Sequence, residues 1–504
     1  MQVERRSDLS STCGHMTGVD FSGLEDAPTQ ILGANIVEHQ GKVPAYCSVA
    51  GYVAPQIGFE IKLPVSNWNG KYVQLGCGGW CGSISGDGCD DALIKNYACM
   101  ATDGGHHSAD DLKWAYNDIG AIIDYAYRAT HVGLLAGRAI VGRFYDSEPS
   151  RSYLVGCSGG GRDGLLSAQR FPADFDGIVA GAPAINVTGG VMRLLWGARV
   201  IRDQRGTLIL SPRDLQTLHT AAINYCDADD GLKDGVIGDP NTCTFDPSML
   251  LCRSGRVQDC LSQKQVDAAK KVYAGPMTST GAKLYPSGTS FGAEFSVYKA
   301  GEWDNDFEHW GSDLFRYMGF YPQPGPGWSM ADFNFNRDYE RLGMMESLLT
   351  ATNPDLRKYK ERGGRMILYH GWADYLQDGN NTIDYYETVT KTMGGLHETQ
   401  DFFRLFMLPG VDHCEGGVGA DLIDYLSYLD AWVEKGQAPD MMLAVHIKGD
   451  VAAEHHADRL FPVDDAKIEF TRPVYPHPKQ ARYSGFGDPS KAESFRAVVP
   501  ALSQ

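Results

Sequence analysis

The sequence GCSGGGRDG, residues Gly156–Gly164, is the part of this 504-residue chain around which the rest is organised. The apolar, strand-like run Tyr153–Val155 precedes it, and the helix-forming run 165–170 follows it. A strand, a sharp glycine turn and a helix, with Ser158 at the tip, form the pattern of a nucleophile elbow. Glycines flank the serine because a strained turn that holds a hydroxyl clear of the backbone leaves no room for side chains. The pattern therefore predicts that Ser158 is a nucleophile.

The same glycines also fit a dinucleotide-binding fingerprint, because Gly159, Gly161 and Gly164 follow a strand at the required spacing. That fingerprint needs an acidic residue at the tip of the next strand, where it binds a ribose hydroxyl. The next predicted strand is 177–181, and it continues into Ala-Pro-Ala at 182–184, without an acid. The elbow interpretation is therefore favoured.

A second stretch, PGVDHC at residues Pro409–Cys414, places a histidine beside a cysteine, just as Cys157 lies beside Ser158. If Cys157 pairs with Cys414, their Cα atoms must lie within about 4.4–6.8 Å of each other. The bond would then draw Ser158 and His413 together. A nucleophile and its general base need to be within hydrogen-bond reach for acyl transfer.

The third catalytic residue is expected between the other two, because this type of site orders its residues Ser, then Asp or Glu, then His. The mostly apolar run 365–371 reads as a strand, and Asp374 follows it on the loop. A carboxylate there can hold His413 in the correct tautomer and stabilise the imidazolium. Asp378 and Asp384 lie further past the strand end and rank behind Asp374.

A glycine-rich loop, GCGGWCG at Gly76–Gly82, follows the predicted strand 72–75. This type of fold places a backbone donor of the oxyanion hole on such a loop, and the N–H of Gly159, directly after the nucleophile, supplies another. Two donors of this kind stabilise the oxyanion of the tetrahedral intermediate. Gly78 or Gly79 is predicted to supply the loop donor.

These segments resemble the tannase and feruloyl esterase family, which includes bacterial enzymes that hydrolyse mono(hydroxyethyl) terephthalate. The resemblance covers nearly the whole chain and rests on Gly156–Arg162, Phe175–Ile178, Gly371–Asp374 and Pro409–Cys414. It implies an α/β-hydrolase core with a large inserted lid domain that carries a structural calcium ion. We therefore expect core residues at 1–184 and 353–504 and the lid at 185–352.

The acidic segment CDADDGLKDGVI, Cys226–Ile237, lies in the expected lid and resembles a calcium loop. Hard cations bind clustered carboxylates and backbone carbonyls. The segment departs from the EF-hand pattern, which has a glutamate at its twelfth position. The family resemblance implies a ligand set of the side chains of Asp227, Asp230 and Asp234 and the carbonyls of Leu232 and Val236. The alternative is a solvated acidic turn.

The chain has twelve cysteines, and this even count favours a disulfide-bonded protein from an oxidising compartment. Two short-range disulfides are predicted, Cys226 with Cys243 and Cys252 with Cys260. The six N-terminal cysteines allow many connectivities, which sequence alone does not resolve. The alternative for four of them is a zinc site formed by Cys77, Cys81, Cys89 and Cys99.

Charge and hydropathy exclude two classes of partner. The formal net charge of -18 argues against nucleic acid, which needs clustered Lys and Arg. A membrane span needs about 18 consecutive apolar residues, and the chain has no such run. The start, Met1–Arg6, lacks an apolar signal core, so we expect that a signal peptide has been removed and that the protein is secreted or periplasmic.

Aromatic residues crowd the segment 303–328, which suits a pocket for a planar acyl group. The candidate pocket residues are Trp310, Phe315, Arg316, Tyr375 and Leu376. Arg316 is the candidate cation for a distal carboxylate of the kind that terephthalate carries.

The function that these residues and the resemblance imply is a serine carboxylic-ester hydrolase acting on small aromatic esters. A feruloyl or hydroxycinnamoyl esterase is the first expectation. A tannase that cleaves galloyl esters and a mono(hydroxyethyl) terephthalate hydrolase are the alternatives. A more distant alternative is a non-catalytic, calcium-stabilised binding protein on a hydrolase scaffold. Oligomeric state is not readable from the sequence.

Overall fold

The computed structural model describes residues 2–84, 86–108, 111–253, 258–294, 311–449 and 459–500. The chain divides into two compact units. The first contains Met1–Pro183, Asp355–Ile367 and Tyr425–Gln437. The second contains Ala184–Pro354, Leu368–Asp424 and Ala438–Gln504.

A mixed β-sheet is the centre of the first unit. Its strands are β1 (Thr29–Val37), β2 (Tyr46–Val53), β3 (Ile57–Pro64), β4 (Lys71–Leu75), β5 (Ala98–Thr102), β6 (Arg151–Cys157), β7 (Gly177–Gly181) and the start of β8 (Arg365–Gly371). Their order is β1-β2-β3-β5-β4-β6-β7-β8. The pairs from β1 to β5 are antiparallel, and β4 pairs in parallel with β5 and β6, as does β6 with β7.

Burial along the strands follows this pairing. Every residue of β5 and β7 is buried, whereas buried and more accessible residues alternate along β2. Parallel strands are covered on both faces, and antiparallel strands often expose one face, which explains the difference. The predicted strands 72–75, 177–181 and 365–371 agree with β4, β7 and β8 to within one residue.

Helices accompany the sheet in the first unit. They are Gln2–His15, Asp90–Ile94, Ile119–Ile123, Ala129–Tyr145, Gly159–Arg170, Arg357–Glu361 and Tyr425–Lys435. In the sequence, residues 117–145 have the apolar periodicity of a helix, and Gly133 within them predicts a break. That prediction is wrong, because Ala129–Tyr145 is one helix. A Cβ atom on Gly133 would lie 3.1 Å from side-chain atoms of both Gln74 and Thr102. The glycine lets the helix approach β4 and β5 closely.

In the second unit the end of β8 lies beside β9 (Phe403–Leu408) in the strand order. Two small antiparallel sheets pair β10 (Met442–Ile447) with β11 (Ile468–Val474) and β12 (Gln480–Tyr483) with β13 (Phe495–Val498). The helices of this unit are Val187–Val200, Pro212–Cys226, Gln263–Ala274, Gly343–Leu349, Gly379–Thr392 and Leu396–Gln400, and residues 311–317 are also helical. The mixed sheet with its helices confirms the predicted α/β class.

The segment expected to form the lid has an apolar cluster of its own. Its buried members include Leu210, Leu218, Phe245, Leu261 and Val266. The separation of a lid at 185–352 stays a prediction. Across the described part of the chain, every helix is too short or too polar to span a bilayer.

Candidate active site

Ser158 occupies the turn between β6 and the helix Gly159–Arg170, as the sequence predicts. Its backbone has φ 60° and ψ −118°, a conformation that side-chain-bearing residues rarely adopt. The N–H of Ser158 donates to the carbonyl of Gly181 at 2.9 Å, and the carbonyl of Ser158 accepts from the N–H of Arg162 at 3.0 Å. Strain of this kind costs about 1–3 kcal/mol and is concentrated at functional sites.

The glycines around Ser158 are required by close backbone contacts. A Cβ atom on Gly156 would lie 2.6 Å from the carbonyl carbon of Gly160, and one on Gly160 would lie 2.7 Å from that of Gly76. Distances this short exclude any side chain. The end of β6, the first turn of the helix and the residue after β4 therefore meet backbone to backbone.

The loop with the predicted oxyanion donors lies against Gly159. A Cβ atom on Gly159 would meet the carbonyl oxygens of Cys77 and Gly79 at 2.8 and 3.0 Å. Gly79 has a positive φ of 59°, and a disulfide between Cys77 and Cys81 closes the loop. The arrangement keeps the backbone of Gly78 and Gly79 beside the residue that follows the nucleophile.

Asp374 and His413 form a hydrogen-bonded pair in the second unit. Oδ2 of Asp374 lies 2.7 Å from Nδ1 of His413, and Oδ1 accepts from the backbone N–H groups of Leu376 and Gln377 at 2.8 and 2.9 Å. The side chain of Asp374 is fully buried, and that of His413 is 15% exposed. The carboxylate therefore receives donors on both oxygens.

Gly371, the last residue of β8, allows the loop Pro409–Cys414, which carries His413, to approach the loop that carries Asp374. A Cβ atom there would lie 2.2 Å from the carbonyl oxygen of Val411 and 2.6 Å from that of Asp412. The N–H of Ala373 donates to the carbonyl of Val411 at 2.9 Å. The missing side chain lets the two loops pass each other at backbone distance.

Two effects oppose each other at Asp374. Burial raises the pKa of its carboxyl group, whereas His413 and, to a smaller extent, His370 lower it. The two histidines outweigh burial, so the pKa lies well below its ordinary value. The group is ionised at neutral pH and acts as an acceptor. When His413 is neutral, the carboxylate favours the tautomer with a proton on Nδ1, which leaves Nε2 free to accept one.

His370 is a member of this cluster that the sequence interpretation missed. It is completely buried, its Nε2 lies 3.2 Å from Oδ2 of Asp374, and its Nδ1 lies 2.8 Å from Oγ1 of Thr382. The available signal was a polar residue at the end of an otherwise apolar strand, four positions before the acid. Two imidazoles therefore face one carboxylate oxygen.

The lower-ranked acids have other surroundings. Asp378 caps the helix Gly379–Thr392 by accepting from the N–H of Asn380, and its Oδ2 accepts from Oγ of Ser287 at 2.5 Å. Burial raises the pKa of its carboxyl group. Asp384 is exposed on the same helix. In the second unit, Asp374 is therefore the one of these three acids that is hydrogen-bonded to His413.

The predicted calcium loop follows the helix Pro212–Cys226. Oδ1 of Asp227 accepts from the backbone N–H groups of Asp234 and Val236 at 3.1 and 3.2 Å, and Oδ1 of Asp230 accepts from that of Leu232 at 3.0 Å. These bonds wrap the loop around its own carboxylates.

The charge of this loop is only partly balanced. Oδ2 of Asp234 lies 2.9 Å from Nη2 of Arg472. Burial, and then the charges of Asp234 and Asp227, raise the pKa of Asp230 to about 6. Like charges held together in this way fit a bound cation, which would relieve their repulsion.

The potential metal-ligand atoms that lie closest together are outside the predicted calcium loop. Within the described ranges, one group of three side chains brings histidine or carboxylate ligand atoms within 4.8 Å of one another, namely His397, Glu398 and Asp401, which are all exposed. The loop carboxylates do not meet that closely. Their fit to calcium rests on the donor chemistry and charge of the loop.

The predicted pocket residues have varied surroundings. The carbonyls of Tyr375 and Leu376 each accept from Nη2 of the buried Arg193 at 3.0 Å, which holds the loop after the acid in place. Phe315 is fully buried against other aromatic rings, among them Trp328. In this structure Phe315 therefore offers no surface to a ligand.

Arg316, the candidate cation, already has partners in the second unit. Its Nη1 lies 3.2 Å from Oδ1 of Asp313, and its Nε donates to the carbonyl of Trp328 at 2.7 Å. Trp310 lies outside the described residues.

All twelve cysteines lie in described residues and are disulfide-bonded. The predicted pairs Cys226–Cys243 and Cys252–Cys260 are confirmed. The N-terminal pairs are Cys13–Cys47, Cys77–Cys81 and Cys89–Cys99. The zinc alternative is therefore wrong, because its four cysteines are bonded to one another. Cys157 and Cys414 are also disulfide-bonded cysteines.

Known proteins resemble this chain over most of its length. Residues 41–498 match the family described as tannase and feruloyl esterase. The mono(2-hydroxyethyl) terephthalate hydrolase of Piscinibacter sakaiensis is 33% identical, with 91% of this chain and 85% of that protein covered. The probable feruloyl esterase B-1 of Aspergillus oryzae is 29% identical, with 90% and 84% covered.

Solved structures show the same likeness. The crystal structure of feruloyl esterase B from Aspergillus oryzae superposes with a TM-score of 0.83 at 26% identity, and the match covers 97% of this chain and all of that one. The sequence match and the structural match both cover most of this chain. The chain therefore belongs to the tannase and feruloyl esterase family and is a carboxylic ester hydrolase.

Proposed function

We propose that this protein is a serine esterase of aromatic carboxylic acids that works through an acyl-enzyme, with Ser158, His413 and Asp374 as its catalytic residues. The single observation that carries the proposal is the buried hydrogen bond of 2.7 Å between Asp374 and His413. The strained backbone of Ser158 at the elbow supports it, since such strain is typical of a nucleophile.

In the proposed mechanism, Oγ of Ser158 attacks the ester carbonyl and transfers its proton to Nε2 of His413. The imidazolium that forms is stabilised by the ionised Asp374. Collapse of the tetrahedral intermediate breaks the bond to the alkoxy oxygen, which takes the proton from His413 as the alcohol leaves. Water then gives a proton to His413 as it attacks the acyl-enzyme, and the proton returns to Ser158 when the acid departs.

Backbone donors stabilise the negative oxygen in both tetrahedral intermediates. The N–H of Gly159 is proposed as one donor, and an N–H of Gly78 or Gly79 as the other. The nearness of the loop to Gly159 supports this assignment, because the backbone nitrogen of Gly79 would lie 3.6 Å from a Cβ atom on Gly159. Losing one such donor typically lowers kcat by about 10²- to 10³-fold.

The proposal also includes a disulfide bond between Cys157 and Cys414. Each is disulfide-bonded and lies directly beside a proposed catalytic residue. A bond between them limits the Cα separation to about 4.4–6.8 Å. Such a bond would keep the side chains of Ser158 and His413 close to each other.

A feruloyl or hydroxycinnamoyl ester is the proposed substrate type. Relatives named feruloyl esterase and mono(2-hydroxyethyl) terephthalate hydrolase support an aromatic acyl group. The contacts of Arg316 with Asp313 and Trp328 favour a neutral acyl group over terephthalate, because a distal carboxylate would have to compete with Asp313 for the guanidinium. Galloyl and terephthaloyl esters remain the alternatives.

Residues 185–352 are proposed to form a lid that carries a structural calcium ion. Its ligands would be the side chains of Asp227, Asp230 and Asp234 and the carbonyls of Leu232 and Val236. The raised pKa of Asp230, to about 6, supports a cation there. The bound ion would stabilise the loop that follows Cys226, the residue that forms a disulfide with Cys243. The ion has no part in the proposed reaction.

We also propose that the protein is secreted or periplasmic. Disulfides persist in oxidising compartments, and all twelve cysteines of this chain are bonded.

The test compares the wild type with Ser158→Ala on methyl ferulate, methyl gallate and mono(2-hydroxyethyl) terephthalate. We expect the wild type to turn over methyl ferulate fastest and the variant to be folded and inactive on all three. An aryl phosphonate should add one adduct to the wild type, read by intact mass, and none to the variant. Comparable hydrolysis by Ser158→Ala would refute the mechanism, and a faster rate on another ester would reassign the substrate.

A further inference from the structure

Beside the elbow, a buried group of side chains takes no part in the proposed reaction. It consists of Tyr125, Arg162 and Asp163, which we call the arginine cluster. Arg162 is 0% exposed, and its Nη2 lies 3.2 Å from Oδ1 of Asp163 and donates to the carbonyl of Tyr125 at 3.1 Å. The centre of its guanidinium lies 4.3 Å from the centroid of the Tyr125 ring. A charge is therefore buried between one carboxylate and one aromatic face.

Stability gives no reason for this arrangement. Nε and Nη1 of Arg162 have no hydrogen-bond partner in the described structure. Buried donors without partners oppose folding, and buried ion pairs are often no better than apolar residues of the same size. Burial also raises the pKa of Asp163, to about 6, although the arginine lowers it. A buried polar cluster that keeps donors without partners is a candidate for a role in positioning.

The cluster contacts the glycine loop at two points. The hydroxyl of Tyr125 donates to the carbonyl of Gly79 at 3.3 Å. Oδ2 of Asp163 lies 3.9 Å from Sγ of Cys77, and the backbone of Cys77 helps to lower the pKa of this carboxyl group. The two contacts lie at Cys77 and at the carbonyl of Gly79. They therefore flank the two peptide groups that carry the N–H of Gly78 and of Gly79.

Arg162 and Asp163 also belong to the helix that begins at Gly159. The N–H of Arg162 donates to the carbonyl of Ser158 at 3.0 Å. The first turn of this helix therefore follows the nucleophile directly and carries the first proposed oxyanion donor and two of the three members of the arginine cluster. A shift of the loop relative to Gly159 would have to break the buried contacts of the cluster.

We propose that the arginine cluster is a positioning device that fixes the loop N–H groups relative to the N–H of Gly159, and thereby sets the geometry of the oxyanion hole. The proposal rests on the proposed function, because it presumes that these donors bind an oxyanion. Oxyanion donors act through preorganisation, and sites that are loose by a fraction of an ångström lose much of their effect. Tyr125, Arg162 and Asp163 are positioning residues and do not touch the substrate.

The test uses Tyr125→Phe, which removes the bond to Gly79, and Asp163→Asn, which keeps the size of the side chain and removes its charge. We expect kcat to fall by about 10- to 100-fold, part of the loss seen when a whole donor is removed, while KM changes little. Affinity for an arylboronic acid, which mimics the tetrahedral intermediate, should fall in parallel with kcat/KM.

Tyr127→Phe is the matched control. Tyr127 lies on the same helical segment as Tyr125, and its ring contacts Phe171 and Arg170, neither of which belongs to the glycine loop. We expect it to keep the wild-type kcat and the wild-type boronate affinity.

Titration of active sites with the phosphonate separates this inference from the proposed function. If phosphonate labels the proposed nucleophile in every variant, but Tyr125→Phe and Asp163→Asn keep the wild-type kcat per labelled site, the inference is wrong and the proposed function stands. A loss of kcat that disappears after correction for labelled sites would also overturn it, because the cluster would then only support folding.

Discussion

Replacing Asp374 by asparagine is the sharpest test of how the acid and the base cooperate. The substitution preserves the volume of the side chain and one acceptor oxygen. In the structure, Oδ1 accepts from the N–H groups of Leu376 and Gln377, whereas Oδ2 faces Nδ1 of His413 at 2.7 Å. The two backbone donors will keep the amide oxygen, so the NH₂ group will face the imidazole.

The magnitude follows from the tautomer. With an NH₂ group opposite, His413 must present Nδ1 as an acceptor and carry its proton on Nε2. It then cannot accept the proton of Ser158, and the carboxylate that would stabilise the imidazolium is gone. A wrong tautomer in a serine-histidine-acid site lowers kcat by about 10⁴-fold. That factor corresponds to about 5 kcal/mol of activation free energy.

The assay is steady-state hydrolysis of methyl ferulate together with the rate of phosphonate labelling, since both need the same proton transfer. We expect the two rates to fall together. Asp378→Asn is the matched control, because this buried carboxylate is four positions away and caps a helix. It should lose stability and keep kcat within a few-fold of wild type. An Asp374→Asn enzyme with more than about a tenth of wild-type kcat, where a loss of about 10⁴-fold is expected, would refute the reasoning.

Four further outcomes are expected. The pKa of Asp230 in the folded protein is raised to about 6, so the free energy of unfolding in EGTA should fall as the pH rises from about 4 to 6. Saturating calcium should remove this pH dependence, and urea unfolding curves measure both. The pKa of Asp374 is lowered, so its contribution to stability is present above about pH 4 and lost below it, and Asp374→Asn should flatten the acid limb of the same curves. His370→Leu should lower the free energy of unfolding by about 1–3 kcal/mol, measured in urea, because the buried carboxylate loses a neighbour. The double variant Cys157→Ala/Cys414→Ala should lose kcat by about 10- to 100-fold, and unchanged kinetics would show that these sulfurs do not position the site.

Patterns confined to neighbouring residues were readable without coordinates. The elbow at Ser158 needs glycines on both sides, because the close backbone contacts at Gly156 and Gly160 exclude side chains there. The disulfides Cys226–Cys243 and Cys252–Cys260 close short loops, so their sequence spacing already indicated the pairing.

Gly133 shows where local reading fails. A glycine inside a helical pattern predicts a break, because glycine weakens isolated helices. The structure places it where the helix Ala129–Tyr145 approaches Gln74 and Thr102, and contact with the sheet compensates for the weak propensity. Phe315 is buried next to Trp328, and its place in a substrate pocket stays a prediction.

By itself, the sequence determined the α/β class, the family, the glycine turn that presents Ser158 and the position of Asp374 after its strand. The class and the family follow from several short motifs spread along the chain. The turn and the loop position depend on residues within a few positions of one another, whose steric and hydrogen-bonding demands hold in any fold. Tertiary structure alone decided that His370 faces the acid and that Tyr125 and Asp163 hold the glycine loop. Tyr125 lies 46 residues from Gly79 in sequence, and only the packing of helices against the sheet brings them into contact.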